Sequence, residues 1–296
     1  MAFLGLHLTD TLLQLFLLNA MLAYSAYAGL SGGAFNLSFP AFAGLGGYGV
    51  AILTTKSGVA PIPAAFISVL LAVSVAAVFS VVLLRLRGVY MAIVSINLVV
   101  VFVAIANNWS SLTGGALGIT GLPLAATTRT LMIGTVVIVA GFALISRGKF
   151  GESMTVMTAD RTLAASLGMR VRRTQFILAL ASAALAAWAG AMNAFWLGLV
   201  TPSNYGFETS VAVIAMVILG GEGFWWGPLV GAAVFTAVPE WTRSLGTWRD
   251  LSTAAILLAV VIFAPEGIAG YVHRISGRVR MARSLVAQRR VGATNG

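Results

Sequence analysis

Seven stretches of this chain carry no acidic or basic side chain: residues 11–55, 57–84, 88–128, 130–146, 174–207, 223–239 and 251–265. About 20 apolar residues wound as a helix cross a bilayer core of roughly 30 Å. A helix also satisfies its own backbone groups, as lipid requires. The two longest windows, 11–55 and 88–128, have room for more than one crossing or for a crossing and a loop. Charged residues make up 9% of the chain, against about a quarter in a soluble domain, and they sit in the breaks between windows. The expected fold is an all-α polytopic membrane protein, and a soluble enzyme is excluded.

Eighteen Lys and Arg against eight Asp and Glu leave a net charge of +10. Such an excess would suit a nucleic-acid partner, but confinement of the charges to short connections excludes a nucleic-acid module. The absence of cysteine excludes disulfides, thiol catalysis and cysteine-ligated metals. His7 and His273 stand near opposite ends of the chain, and Asp10, three residues after His7, reads as an interfacial neighbour, not a co-ligand. The first basic residue is Lys56, so residues 10–29 lack the basic flank of a secretory signal and read as a retained span.

Candidate spans are 10–29, 34–54, 61–84, 88–106, 129–146, 174–198, 207–221, 226–243 and 251–268, about nine within a range of eight to ten. Cytoplasmic connections carry the excess of Lys and Arg. Counting crossings places Arg85, Arg87, Arg147, Lys149, Arg161, Arg170, Arg172, Arg173 and six arginines of 274–290 on one side. Only Lys56, Arg129, Arg243 and Arg249 fall on the other. The predicted orientation has the N-terminus outside and the C-terminus inside. Segments 34–54 and 207–221, Gly-rich or short, are the candidates for broken helices. Residues 1–270 form one membrane domain, and 271–296 a basic cytoplasmic tail. That tail reads as an anchor to anionic lipid, each basic residue contributing about 1 kcal/mol.

Ser182, Ala186, Gly190, Ala194 and Gly198 recur every fourth residue, a small-residue stripe that lets another helix approach closely. Gly227 and Gly231 form a shorter one. Gly32-Gly33 with Pro40 and Gly44, and Gly220-Gly221 with Pro228 and Gly231, are similarly spaced. Gly/Pro-interrupted segments in corresponding halves point to a transport site, so an internal repeat is one reading and ordinary helix-end chemistry the other.

Ion-coupled carriers use ionisable groups at membrane depth, yet only Glu208 and Glu222 come near a span, both at predicted ends. The sequence has no His-Glu-x-x-His motif, and Gly148-Lys149 is followed by Phe150, unlike a phosphate-binding loop. The chain itself is therefore expected to bind no cofactor or metal and to catalyse no reaction, and active transport would need a partner's energy. Loop 147–173 is the candidate docking surface: Met154, Met157, Leu163, Ala164 and Leu167 approximate one face of a short helix, Asp160 and Arg161 lie beside it, and Gly168 is placed to stop it, with a solvated loop helix that meets no partner as the equal alternative.

Five strings occur together in order: LRLRGVYMAIVSI (84–96), SLTGGALGITGLP (111–123), TPSNYGF (201–207), VILGGEGFWWGPLVGA (217–232) and APEGIAG (264–270). They resemble the inner-membrane permease subunits of bacterial ABC importers for branched-chain amino acids, a group that also serves urea and short amides. The resemblance covers about residues 20–270. It implies a second related permease, two ATPase subunits carrying ATP-Mg, and a periplasmic substrate-binding protein. It further implies an ATPase-coupling role for Gly151, Asp160, Ala164, Leu167 and Gly168. Glu152, Thr155 and Thr158 depart from the basic residues usual in that loop, Val89 replaces an acidic residue, and Glu222 stands where an apolar one is common.

Asn36, Ser38, Ser95, Asn97 and Asn193 are polar side chains at or near membrane depth and are candidates for the substrate path. The same groups could instead join helices. The leading reading is an ATP-driven importer permease working by alternating access, with an ATP-independent carrier or facilitator for small amides, or a non-transporting scaffold, as alternatives.

Overall fold

The computed structural model describes residues 2–86, 88–242 and 267–271, with side chains from residue 10 onward except Lys149 and Arg161. The named α-helices are α1 (Ala2–Leu30), α2 (Phe39–Thr55), α3 (Pro61–Leu83), α4 (Val89–Asn108), α5 (Ser110–Thr113), α6 (Thr128–Ser146), α7 (Lys149–Ala159), α8 (Arg161–Ser166), α9 (Val171–Leu197), α10 (Phe207–Gly220) and α11 (Gly227–Trp241), and residues 267–271 are helical as well. Two short strands, β1 (Ile119–Thr120) and β2 (Leu199–Val200), pair antiparallel. The chain is all-α and polytopic. Among the described residues, five helices are long and apolar enough to cross a membrane: α1 from Asp10, α3, α4, α6 and α9. At 1.5 Å per residue, α2 (17 residues) and α10 (14 residues) are shorter than the bilayer core. The span expected over 251–268 lies mostly outside the described residues, as do Arg87, Arg243, Arg249 and the tail.

The span expected from residue 34 begins as a helix only at Phe39. Pro40 stands in the first turn of α2, where its missing N–H costs nothing. Upstream, the Leu37 N–H donates to Ser95 Oγ (3.0 Å) and the Ser38 N–H to Asn36 Oδ1 (3.0 Å). These bonds satisfy the backbone without a helix, so residues 34–38 form an irregular, non-helical turn against α4.

α9 is the hub and packs against α1, α2 and α3. Its small residues permit this. A Cβ on Gly190 would run into the backbone of Ala43, and one on Gly46 into the backbone of Ala187, so α2 and α9 touch main chain to main chain. Inside lipid the hydrophobic effect does not drive helices together, and such close packing replaces it. The stripe ends one residue early: Gly198 caps α9 in a left-handed conformation. Polar bonds fix the neighbours. Trp196 Nε1 donates to Gln14 Oε1 (2.7 Å), Gln14 Nε2 to Thr128 Oγ1 (2.7 Å) and Asn19 Nδ2 to Thr236 Oγ1 (2.9 Å), joining α1 to α9, α6 and α11. Each such bond contributes about 0.6–2 kcal/mol.

α3, α4 and α6 turn Ile62, Leu70, Val78, Val100, Val136 and Val137 outward as an exposed aliphatic surface. The two Gly-Gly segments share helix-end chemistry, Pro228 matching Pro40 in a first turn. Their packing differs: α10 and α11 lie along each other, whereas α1 and α2 meet at few residues.

Candidate coupling and transport site

The chain's connections separate into two ends. Tyr27 and Ser31 of α1, Arg147, α7 and the α10–α11 turn surround one cavity, and Gly33, Leu86, α8 and Arg172 line another. Opposite them, Lys56 Nζ donates to the carbonyls of Ser111 (2.6 Å) and Leu112 (3.1 Å), joining the α2–α3 and α4–α6 connections. Arg147 and Arg172 thus line cavities at one end, with Lys56 at the other.

At the arginine-bearing end the candidate docking loop forms two helices, not the single amphipathic one expected. Asp160 is extended (φ −153°, ψ 114°), and its Oδ1 accepts from the Thr162 (2.7 Å) and Leu163 (3.2 Å) N–H groups. Aspartate is among the preferred N-caps because its oxygen satisfies first-turn amides. Here the cap ends α7 and starts α8. These backbone hydrogen bonds hold the Asp160 carboxyl below the usual carboxylate range. The break divides the expected face. Met154, Met157 and Ala164 are buried, while Leu163 and Leu167 are 51% and 62% exposed.

Thr158 Oγ1 shares its proton between the Ser31 carbonyl and the Met154 carbonyl of its own helix (both 2.9 Å) and so links α7 to the end of α1. Thr158, noted only as a departure from a basic pattern, is therefore an anchor. A Cβ on Gly151 would strike the Ser146 backbone, so α7 is stacked on the end of α6. Gly168 has φ +78°, a value open to glycine, and the Met169 N–H reaches the Ala164 carbonyl (3.1 Å) to close α8.

The five candidate path residues do not gather in one place. Asn36, Ser38 and Ser95 form a buried network: Ser38 Oγ donates to Asn36 Oδ1 (2.6 Å), and Ser95 Oγ donates to the Ala92 carbonyl (2.8 Å) while accepting from Leu37. Asn97 lies on the exposed face of α4, its Nδ2 donating to the Ile93 carbonyl (2.9 Å). Asn193 lies near the far end of α9, and its buried Oδ1 has no hydrogen-bond partner among the described residues. Tyr48 Oη and Ser210 Oγ share that condition and were not singled out in the sequence. Their signal was available: each is a polar residue within an apolar stretch.

Opposite the arginine-bearing end, Tyr205 is buried beside Tyr48 and Phe102, with ring centroids 6.1–6.5 Å apart. Ile119 pairs with Val200 and Thr120 with Leu199. A Cβ on Gly118 would meet the Val200 carbonyl, which accounts for that glycine. The strings at 111–123 and 201–207 thus form one closure over α2, α4 and α9. In the string at 217–232, Gly220, Gly227 and Gly231 bring α10 and α11 into backbone contact, and Gly267 packs on Gly221. Glu208 stands in the first turn of α10 and Glu222 just beyond its last. Among the described residues, no three His, Asp or Glu come together as a metal site.

Residues 8–265 match the family described as "Branched-chain amino acid transport system / permease component". The chain belongs to this family. It is an ABC-type permease and a multi-pass inner-membrane protein. The high-affinity branched-chain amino acid transport system permease protein LivM of Escherichia coli (strain K12) is 26% identical over 282 residues, covering 83% of this chain and 66% of its own. The fructose import permease protein FruG of Bifidobacterium longum is 28% identical over 138 residues, 45% of this chain and 41% of its own. The permease protein LivH of Salmonella typhimurium is 27% identical over 149 residues, 49% of this chain and 48% of its own. The chain thus spans about two thirds of the first relative and about half or less of the other two. No solved structure matches it significantly.

Proposed function

We propose that this permease is the membrane pathway of an ATP-driven importer for branched-chain or related amino acids. It works with a second related permease, two ATPase subunits that hold ATP-Mg, and a periplasmic substrate-binding protein. The N-terminus is periplasmic and the arginine-bearing end cytoplasmic, following the placement of basic residues. The observation that carries the reading is the α7–α8 pair. It is held to the helix bundle through Thr158 and Gly151 and presents Leu163 and Leu167 outward. Two apolar anchors four residues apart suit a groove on another protein. Gly151, Asp160, Ala164, Leu167 and Gly168 shape and hold that pair, and the ATPases drive transport by docking differently on it in two states.

Substrate passes between this chain and its partner permease along the uncovered face of α4, where Asn97 offers a polar group. The test is uptake of labelled leucine into proteoliposomes containing the permease, its co-purified ATPases and the binding protein. ATP-dependent uptake is the expected result. Uptake by this chain alone without ATP would refute the reading. Labelled fructose, urea and short amides in the same assay decide the substrate, since one relative is named for fructose import.

A further inference from the structure

A cavity of about 590 Å³ opens at the arginine-bearing end between α1, α6, α7 and the α10–α11 turn. Its size falls within the range of small-molecule sites, roughly 300–1,000 Å³. The buried rings of Tyr27 and Phe142 and the buried Met154 side chain form its apolar floor, the hydroxyl-bearing Thr155 and Thr158 stand in its wall, and the exposed Arg147 and Glu222 stand at its rim. The two charges come from different elements, one from the end of α6 and one from the α10–α11 turn. An apolar floor under one cation and one anion suits a ligand with an apolar body, a carboxylate and an ammonium group. We infer that this cavity binds a free aliphatic amino acid from the cytoplasmic side and thereby restrains coupling, a reading that rests on the importer function proposed above.

The restraint follows from the walls. Thr155 and Met154 belong to α7, whereas Tyr27, Phe142 and Glu222 belong to the body of the helix bundle. A ligand spanning both favours the arrangement in which α7 sits against the bundle. If ATP binding displaces α7, the ligand opposes it, and by linkage nucleotide lowers the ligand's affinity in return. Accumulated product then slows its own import. Phosphatidylethanolamine carries the same pair of charges on a lipid, so the test must separate the two sources.

The experiment measures labelled leucine binding to the purified permease–ATPase complex without the binding protein, in nanodiscs with and without phosphatidylethanolamine. Saturable binding in both lipids is expected. Leucinol, which lacks the carboxylate, and 4-methylpentanoate, which lacks the ammonium, should compete poorly. Arg147→Gln and Glu222→Gln should each weaken binding about two- to fivefold, the loss expected of a solvent-exposed ion pair. Leucine added on the ATPase side should slow ATP hydrolysis in the wild type and not in the variants. Absence of saturable binding, binding unchanged in both variants, or binding only where phosphatidylethanolamine is omitted would each overturn the inference. ATP-dependent uptake that survives alongside absent binding sinks this site alone. Intact leucine binding with no ATP-dependent uptake of any substrate sinks the importer reading instead.

Discussion

Gly190 touches the Ala43 backbone so closely that no side chain fits between them. Gly190→Leu forces α2 and α9 apart, and overpacking alone costs about 1–3 kcal/mol. The expected outcome is insertion of the variant into the membrane with markedly less stable, monodisperse protein in detergent size-exclusion chromatography. An unchanged elution profile would show that the α2–α9 contact is dispensable. Asp160 supports a different prediction. Its folded pKa lies below the usual value of about 3.9 because the Leu163 and Thr162 amides bind its carboxylate. The cap therefore contributes fully above the unfolded value and is lost as pH falls through the lower folded one. Hydrogen exchange should show protection of the Thr162 and Leu163 amides at neutral pH and its loss on acidification below about pH 4. Asp160→Asn, itself a good cap, should keep much of that protection and lose its pH dependence. An aspartate followed by Thr and Leu two and three residues on was a readable cap. Grouped with a helix face, it concealed the α7–α8 break.

The elements differ in how far the sequence announced them. α3, α4, α6 and α9 were legible because their apolar stretches are long and their ends carry charge or glycine. The start of α2 was not, since Phe35 and Leu37 are as apolar as the helix that follows. What holds that stretch out of a regular helix is a hydrogen bond to Ser95, 58 residues away. For the same reason the candidate path was only partly legible: polarity identifies Asn36, Ser38 and Ser95, but local bonds already occupy them. For the α7–α8 pair, Gly168→Pro cannot adopt φ +78° because proline fixes φ near −65°. That variant, or deletion of 157–168, should abolish ATP-stimulated uptake while membrane insertion persists. The milder pair Leu163→Ser and Leu167→Ser alters only exposed side chains. It should lower ATPase co-purification at least about tenfold, as loss of interface anchors does. Retained co-purification would move the docking surface elsewhere.

At the scale of the molecule, few charges and a surplus of arginine describe one arrangement: an aliphatic exterior on α3, α4 and α6, and ends that differ in charge. The end bearing Lys56 is closed by the pairing of residues 119–120 with 199–200, which holds the stretches before α6 and after α9 together. A cross-link at that pairing, through cysteines replacing Thr120 and Leu199, should slow ATP-dependent uptake if the closure must part during transport, and an unchanged rate would make it a fixed strut. The central position of α9 also bears on how the chain is made. α1, α2 and α3 leave the ribosome well before residues 171–197, yet α9 is the neighbour against which all three pack. The early helices must therefore wait in the membrane with their small-residue faces uncovered until the hub arrives. A nascent chain stalled short of residue 171 would present those faces to the insertion machinery and to quality-control proteases, so biogenesis turns on the timing of one late helix.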